Sequence, residues 1–164
     1  MNARATPEMQ ARPMRTRDLD AVMAIETGVY GFPWTRGNFV DSLAAGYRCE
    51  VLVEPAGALV GYCIAMAGVG ELHLLNLTVA PAWQGRGLAR EMLDGLEAHG
   101  RGNGFATLWL EVRESNQRAR ALYRRRGFAE VGLRRGYYPA PHSTREDAVV
   151  MSLRLLAGPG DGVD

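Results

Sequence analysis

The apolar positions of this chain change their period several times, and each change marks an element. Leu19, Val22, Met23 and Ile25 recur at helical spacing behind Asp18, whose carboxylate can accept the first free backbone N–H groups, so the pattern predicts a helix from Asp18 to about Val29. A short strand near Met14 to Thr16 precedes it, and Thr35 can cap a second helix, about Arg36 to Ala44. Arg48 to Val53 and Ala58 to Met66 read as strands, and the turn residues Pro55, Ala56 and Gly57 predict that they form an antiparallel hairpin. Glu71 to Val79 adds a third strand, which Pro81 stops because proline has no N–H to give to a ladder.

In the second half, Leu88, Met92, Leu93 and Leu96 fall on one helical face, with Arg90, Glu91, Asp94 and Glu97 turned away from it. This predicts a helix from Gly87 to His99, ended by Gly100, Gly102 and Gly104. Phe105 to Val112 is dense enough in apolar residues to be a central strand covered on both faces. Asn116 to Arg126 reads as a helix closed by Gly127, and Phe128 to Leu133 and Ala148 to Leu155 as final strands joined by a long segment that contains Tyr137, Tyr138 and Pro139. The order is an antiparallel meander followed by alternating strands and helices, which predicts a mixed α/β sheet with helices on its faces. Residues 13–156 then form a single domain, with residues 1–12 and the Gly/Pro/Asp-rich end, 157–164, as flexible termini.

Composition narrows the function. At 164 residues and 47% apolar, the chain can bury one ordinary core. Its first dozen residues lack the apolar run of a secretory signal, and nowhere do 18 apolar residues follow one another, so the expected location is cytoplasmic and away from membranes. Cys49 and Cys63 each lie inside a strand, and His73, His99 and His142 are scattered, so no metal site is expected and the thiols read as buried and free. All nineteen basic residues are arginine, which excludes a phosphate-binding P-loop lysine and a lysine Schiff base. A net charge of +1 lacks the basic surplus of a nucleic-acid binder, and the run Arg124-Arg125-Arg126 reads as a solvated helix end, where the negative end of the helix dipole favours cations.

The segment Gln84-Gly85-Arg86-Gly87-Leu88-Ala89 lies between a strand end and an amphipathic helix. Glycines let the backbone approach a ligand, and the first N–H groups of a helix have no internal partner, so the segment suits a phosphate; a plain helix entry would look similar. A dinucleotide fingerprint does not fit, because position 90 is Arg and the turn follows its strand at a distance. Gln84, Gly87 and Ala89 satisfy the signature of the GNAT superfamily of N-acetyltransferases (Gln or Arg, two residues, Gly, one residue, Gly or Ala), and the sequence resembles that family. The resemblance implies a sheet of about seven mostly antiparallel strands flanked by about four helices, with acetyl-CoA as cosubstrate. It implies that backbone N–H groups of Gly85, Arg86, Gly87, Leu88, Ala89 and Arg90 hold the CoA diphosphate, and that Leu77, Thr78 and Val79 contact the pantetheine arm and the acetyl carbonyl.

Trp109 to Arg113, Ser115-Asn116, Ala121-Leu122-Tyr123 and Gly127-Phe128, with Tyr137-Tyr138-Pro139 and Arg145-Glu146-Asp147, are similar to the bacterial ribosomal-protein-alanine N-acetyltransferases of this superfamily. Their reaction needs a base, since a terminal amine, which ordinarily titrates near pH 8, is mostly protonated near neutrality and only the free amine attacks a thioester. Glu111 shares a strand face with Trp109, opposite Leu108, Leu110 and Val112, and the resemblance makes it that base; a surface carboxylate neutralised by Arg113 is the other reading. Tyr123 matches the donor to the departing thiolate. Full proton transfer from a phenol near 10 to a thiol near 8.5 is uphill by about 2 kcal/mol, so hydrogen bonding would be its main contribution. Tyr123 also continues an apolar stripe with Ala119 and Leu122, and Asn116, matched to a cofactor contact, can equally cap its helix.

The resemblance supplies the acceptor as well: the N-terminal alanine of small-subunit ribosomal protein eighteen, bound as a peptide by a monomer or weak dimer. Phe32-Pro33-Trp34 with Tyr137 and Tyr138 could wall its slot, and Glu146 or Asp147 attract basic residues beyond the terminus. Ala89 in place of Gly and the Arg-rich stretch before the last strand depart from close relatives and leave other termini, lysines or small amines open as acceptors. A silent CoA-binding module is the alternative outside the enzymes.

Overall fold

Glu54 turns the chain between its second and third strands: its carboxylate accepts the N–H groups of Ala56 and Ala58 at 3.0 and 2.8 Å, which holds that carboxyl below the usual range, and its own N–H reaches Ala58 O at 2.9 Å. The computed structural model in which this turn sits describes residues 8–156. They form β1 (Gln10–Pro13), α1 (Leu19–Val29), α2 (Arg36–Ala44), β2 (Arg48–Val53), β3 (Leu59–Ala67), β4 (Glu71–Val79), α3 (Leu88–Gly102), β5 (Thr107–Arg113), α4 (Gln117–Arg125), β6 (Ala129–Ala140) and β7 (Thr144–Arg154). Hydrogen-bonded strands follow the order β1-β2-β3-β4-β5-β7-β6; β4 and β5 are parallel, while β1–β2, β5–β7 and β6–β7 are antiparallel. This is the mixed sheet that the period changes predict. The expected tail 157–164 and the first seven residues of the expected N-terminal tail lie outside the described residues.

Two compact units share these elements. The first takes residues 8–64 and Asn76–Met92, the second Ala65–Leu75 and residues 93–156, so β3, β4 and α3 contribute to both. In the first unit Leu19, Val22, Phe39, Val51, Val60, Tyr62 and Ile64 are fully buried, and Phe39 meets Trp34 at 5.1 Å and the edge of Tyr62 at 5.7 Å between ring centres. Thr35 caps α2 as predicted: its Oγ1 accepts the Asn38 N–H at 3.1 Å, while Asn38 Oδ1 accepts the Thr35 N–H at 2.9 Å. Asp18 does not cap α1. Its carboxylate binds Arg12 at 2.8 and 2.9 Å and accepts the Arg15 N–H at 2.8 Å, which folds Thr16–Asp18 into a 3-10 turn. The first strand therefore lies earlier than Met14 to Thr16, with Gln10 opposite Val53 and Pro13 opposite Glu50. Cys49 and Cys63 are both buried and free, and burial raises the Cys63 thiol to about 12.

In the second unit Leu72, Leu93, Leu96, Leu108, Leu110, Ala148 and Met151 form the core. Along β5, Leu108, Leu110 and Val112 are buried, whereas Thr107, Trp109, Glu111 and Arg113 are half-buried, so only one face of this strand is fully covered. α3 runs three residues past His99. Gly100 is a packing glycine within it, because a Cβ there would come within 2.5 Å of Leu155 Cδ1 and 3.1 Å of Leu72 Cδ1; Gly104, at φ +77°, follows the helix end.

The expected linker between the last two strands is itself strand. β6 and β7 form one long hairpin, with Tyr138 opposite Glu146 and Pro139 opposite Arg145, turning through His142 and Ser143 at φ 60° and 58°. Register shifts after Glu130 and Arg134 break the alternation that would have revealed it, and Pro139 is tolerated because β6 is the last strand in the order. Arg126 is not solvated as expected: its guanidinium bonds Glu97 and Asp94 at 2.8 Å each, and Arg120 bonds Glu130 at 3.0 Å.

Candidate active site

In the first unit, β4 ends at Val79 and a 3-10 turn, Pro81–Trp83, redirects the chain. Gln84 Nε2 reaches back to Val79 O at 3.1 Å and ties the following loop to the strand end. Gly85 and Gly87 sit at φ +76° and +79°, in the left-handed region that a side chain would strain, and residues 84–87 are exposed. α3 starts directly after them, with Glu91 N–H bonded to Gly87 O at 3.0 Å. The N–H groups from Gly85 to Arg90 thus lie at the positive end of a 15-residue helix, an arrangement able to bind a phosphate. Arg86 lies over the Trp83 ring at 4.6 Å and donates to Ala82 O at 3.4 Å.

The end of β4 carries a buried polar network that sequence reasoning missed. Thr78 Oγ1 donates to Asn76 Oδ1 at 2.7 Å, so the Tyr30 hydroxyl, 2.8 Å away, donates to Thr78. Asn76 Nδ2 in turn donates to Glu26 Oε1 at 3.1 Å, as does Tyr62 Oη at 2.7 Å, and Glu26 Oε2 accepts the Trp34 backbone N–H at 2.9 Å. Glu26 is 1% exposed and Thr78 3%; Val79 is buried and Leu77 half-buried. Desolvation, reinforced by the Glu26 carboxylate, raises the Tyr62 phenol, and burial also raises Tyr30. The signal was a carboxylate one turn past Val22, inside the apolar stripe of α1.

In the second unit, Glu111 has a side chain only 6% exposed. Its Oε2 meets His73 Nε2 at 2.5 Å. Its Oε1 lies 3.1 Å from Arg134 Nε, yet this ion pair lacks hydrogen-bond geometry, so Oε1 is buried without a hydrogen-bond partner; among the described residues only Arg48 Nη1 shares that condition. His73 and Trp109 are opposite in the parallel β4–β5 register and stack at 3.9 Å and 12°. Arg134 also lies 5.9 Å from the Trp109 ring centre and 5.6 Å from that of Tyr137. The cation 3.1 Å from Glu111 is Arg134, while Arg113 bonds Pro139 O at 2.8 Å and Glu146 at 3.1 Å. The carboxylate thus has one oxygen held by His73 and the other ion-paired with Arg134 without a hydrogen bond.

The other expected residues of this unit are placed as follows. Tyr123 on α4 is 8% exposed and its ring tilts against Phe128 at 5.4 Å. Asn116 caps α4, its Oδ1 accepting the Ala119 N–H at 3.1 Å. Tyr137 and Tyr138 meet edge to face at 4.9 Å, and burial raises the Tyr138 phenol. Glu146 and Asp147 already have internal partners: Glu146 accepts the Ser115 N–H at 2.7 Å, its carboxyl lowered first by the Ser115 side chain and then by that N–H and Arg113, and Asp147 accepts the Gly136 N–H at 2.8 Å. Leu77 through Arg90 therefore belong to the first unit, and Glu111, Asn116 and Tyr123 to the second.

Comparison with known proteins gives this arrangement its context. Residues 19–128 match the Acetyltransferase (GNAT) family. The chain is 39% identical over 142 residues to the [ribosomal protein bS18]-alanine N-acetyltransferase of Escherichia coli K12, covering 87% of this chain and 95% of that one. It is 35% identical over 139 residues to the enzyme of the same name from Haemophilus ducreyi, covering 85% and 95%. The crystal structure of the ribosomal-protein-S18-alanine N-acetyltransferase from Escherichia coli superposes with a TM-score of 0.84 at 37% identity, over 92% of this chain and 97% of that one. At 21% identity, Ard1 from Thermoplasma volcanium shares the fold with a TM-score of 0.79 over 91% and 99%. With two thirds of its length matched by the family and homologues spanning nearly all of their own, this chain belongs to the GNAT family of acetyltransferases.

Proposed function

We propose that this chain transfers the acetyl group of acetyl-CoA to the α-amino group of the N-terminal alanine of ribosomal protein bS18, in the cytoplasm. The observation that carries the chemistry is Glu111, a buried carboxylate whose Oε1 has no hydrogen-bond partner. The acceptor rests on the 39% identity with the Escherichia coli enzyme over 95% of its length. Backbone N–H groups of Gly85, Arg86, Gly87, Leu88, Ala89 and Arg90 hold the CoA diphosphate, and Leu77, Thr78 and Val79 line the pantetheine arm and acetyl group, with Asn116 as a further cofactor contact.

The acceptor arrives as an ammonium ion. Glu111 takes one proton, the freed nitrogen lone pair attacks the acetyl carbonyl carbon, and the C–S bond breaks as the amide forms. Tyr123 donates a hydrogen bond to the departing thiolate; the second proton, which the nitrogen sheds as the amide forms, balances the one that converts the thiolate to CoA, and Glu111 returns the first to solvent. The test is to incubate the purified chain with acetyl-CoA and a synthetic bS18 N-terminal peptide, following thiol release and locating the acetyl group by mass spectrometry. Acetyl on the alanine nitrogen is the expected result; transfer only to lysine side chains or small amines overturns the acceptor, and no CoA release above background overturns the enzyme reading for that peptide.

A further inference from the structure

Proton transfer to Glu111 leaves that residue's closest polar neighbour without a task. His73 lies on β4 opposite Trp109, its side chain 12% exposed, with one ring face against the indole at 3.9 Å and Nε2 on Glu111 Oε2 at 2.5 Å. A carboxylate has no hydrogen to donate, so while Glu111 is ionised the shared hydrogen belongs to Nε2 and His73 is the donor. Hydrogen bonds to an ionised acceptor are the short and strong ones, and the indole stack fixes the plane from which this one is delivered.

We propose that His73 is a positioning residue for Glu111, holding Oε2 so that Oε1 is the oxygen presented to the acceptor's proton. The inference rests on the reading of Glu111 as the base. Rotation of the carboxyl group about its last bond would exchange the two oxygens; the histidine bond removes that freedom, and Oε1, ion-paired with Arg134 at 3.1 Å but without a hydrogen bond, is the oxygen left to accept one. No covalent step passes through His73. The proton moves from the ammonium to Glu111 Oε1, and the imidazole keeps its own.

The experiment compares His73→Gln with His73→Met in the full chain. The two side chains have similar length and volume, and only glutamine can donate a hydrogen bond. With acetyl-CoA and the alanine-terminated peptide, H73M is expected to lose about tenfold or more in kcat, the scale on which small misplacements of a reacting group act, while the KM for acetyl-CoA stays within about twofold. H73Q is expected to recover most of that loss, and in an E111Q background both substitutions should change kcat by less than about twofold, since a residue acting through another has nothing left to position. Equal kcat for H73M and the parent, equal losses in H73M and H73Q, or undiminished losses in the E111Q background would each overturn the inference. Full activity of E111Q would instead remove the base on which it rests, so the two failures are told apart by different variants. Thermal melts of both His73 variants separate a folding defect, which would lower both, from the loss confined to H73M.

Discussion

Tyr62 donates its phenolic hydrogen to Glu26 Oε1 at 2.7 Å, a bond between β3 and α1 in which the tyrosine is fully buried and the carboxylate 1% exposed. Asn76 and the Trp34 backbone N–H also donate to that carboxylate, so one α1 residue fastens both the end of β4 and the segment that leads into α2.

Glu26→Ala should therefore cost about 3 kcal/mol of folding stability, because it strands several buried donors at once. Urea unfolding checks this. Tyr62→Phe, which removes one donor and leaves the carboxylate with other partners, should cost about 1 kcal/mol. Equal losses would mean that the carboxylate does no more than accept the tyrosine.

Glu111→Gln should lower turnover about 100-fold while leaving acetyl-CoA affinity almost unchanged, since it removes proton-accepting power and keeps the shape. Steady-state kinetics with calorimetric titration of the cofactor provide the check, and a fall under about fivefold would refute the assignment.

Tyr123→Phe keeps the ring against Phe128 and removes only the hydroxyl, so the fold should persist while turnover drops about tenfold or more, as expected for a lost donor to a departing group. Unaltered kinetics would leave Tyr123 with packing alone.

Asp18 supplies a pH dependence. The Arg12 guanidinium holds its carboxyl below the ordinary range, so the folded value lies under the unfolded one near 3.9 and the carboxylate stabilises the fold above that unfolded value. This contribution disappears as pH falls through the lowered folded value. Arg12→Gln should accordingly lose about 1–2 kcal/mol at pH 7 and converge on the parent in strong acid, as measured by urea unfolding at several pH values. A deficit that stayed constant with pH would exclude the ion pair as its source.

Much of this fold is legible in the sequence because the signals are local. The cap Thr35, the turn at Pro55 to Gly57 and the apolar faces of α1 and α3 are each specified within a few residues, and the structure has them there. Signals failed where a distant partner decides the outcome. Gly100 reads as a stop until Leu155 and Leu72 are seen against it, and Asp18 reads as a helix cap until Arg12 takes its carboxylate. The residues around Glu111 divide in the same way. Strand alternation was enough to put Glu111 beside Trp109 on the half-covered face, but nothing local pairs His73, 38 positions earlier, or Arg134 with it. Only the parallel register of β4 and β5 and the long β6–β7 hairpin bring them together.

That hairpin also bears on solubility. Val131 and Leu133 are 59% and 57% exposed on an outermost strand, a composition that would invite a second chain to add its own backbone there and polymerise. The two register shifts interrupt the row of groups such an invader would need, the neighbouring Arg134 and Arg135 repel a like-charged copy, and Pro139 withholds an N–H from it. The irregularities that hid the second half of β6 from the sequence thus act as its guard against aggregation.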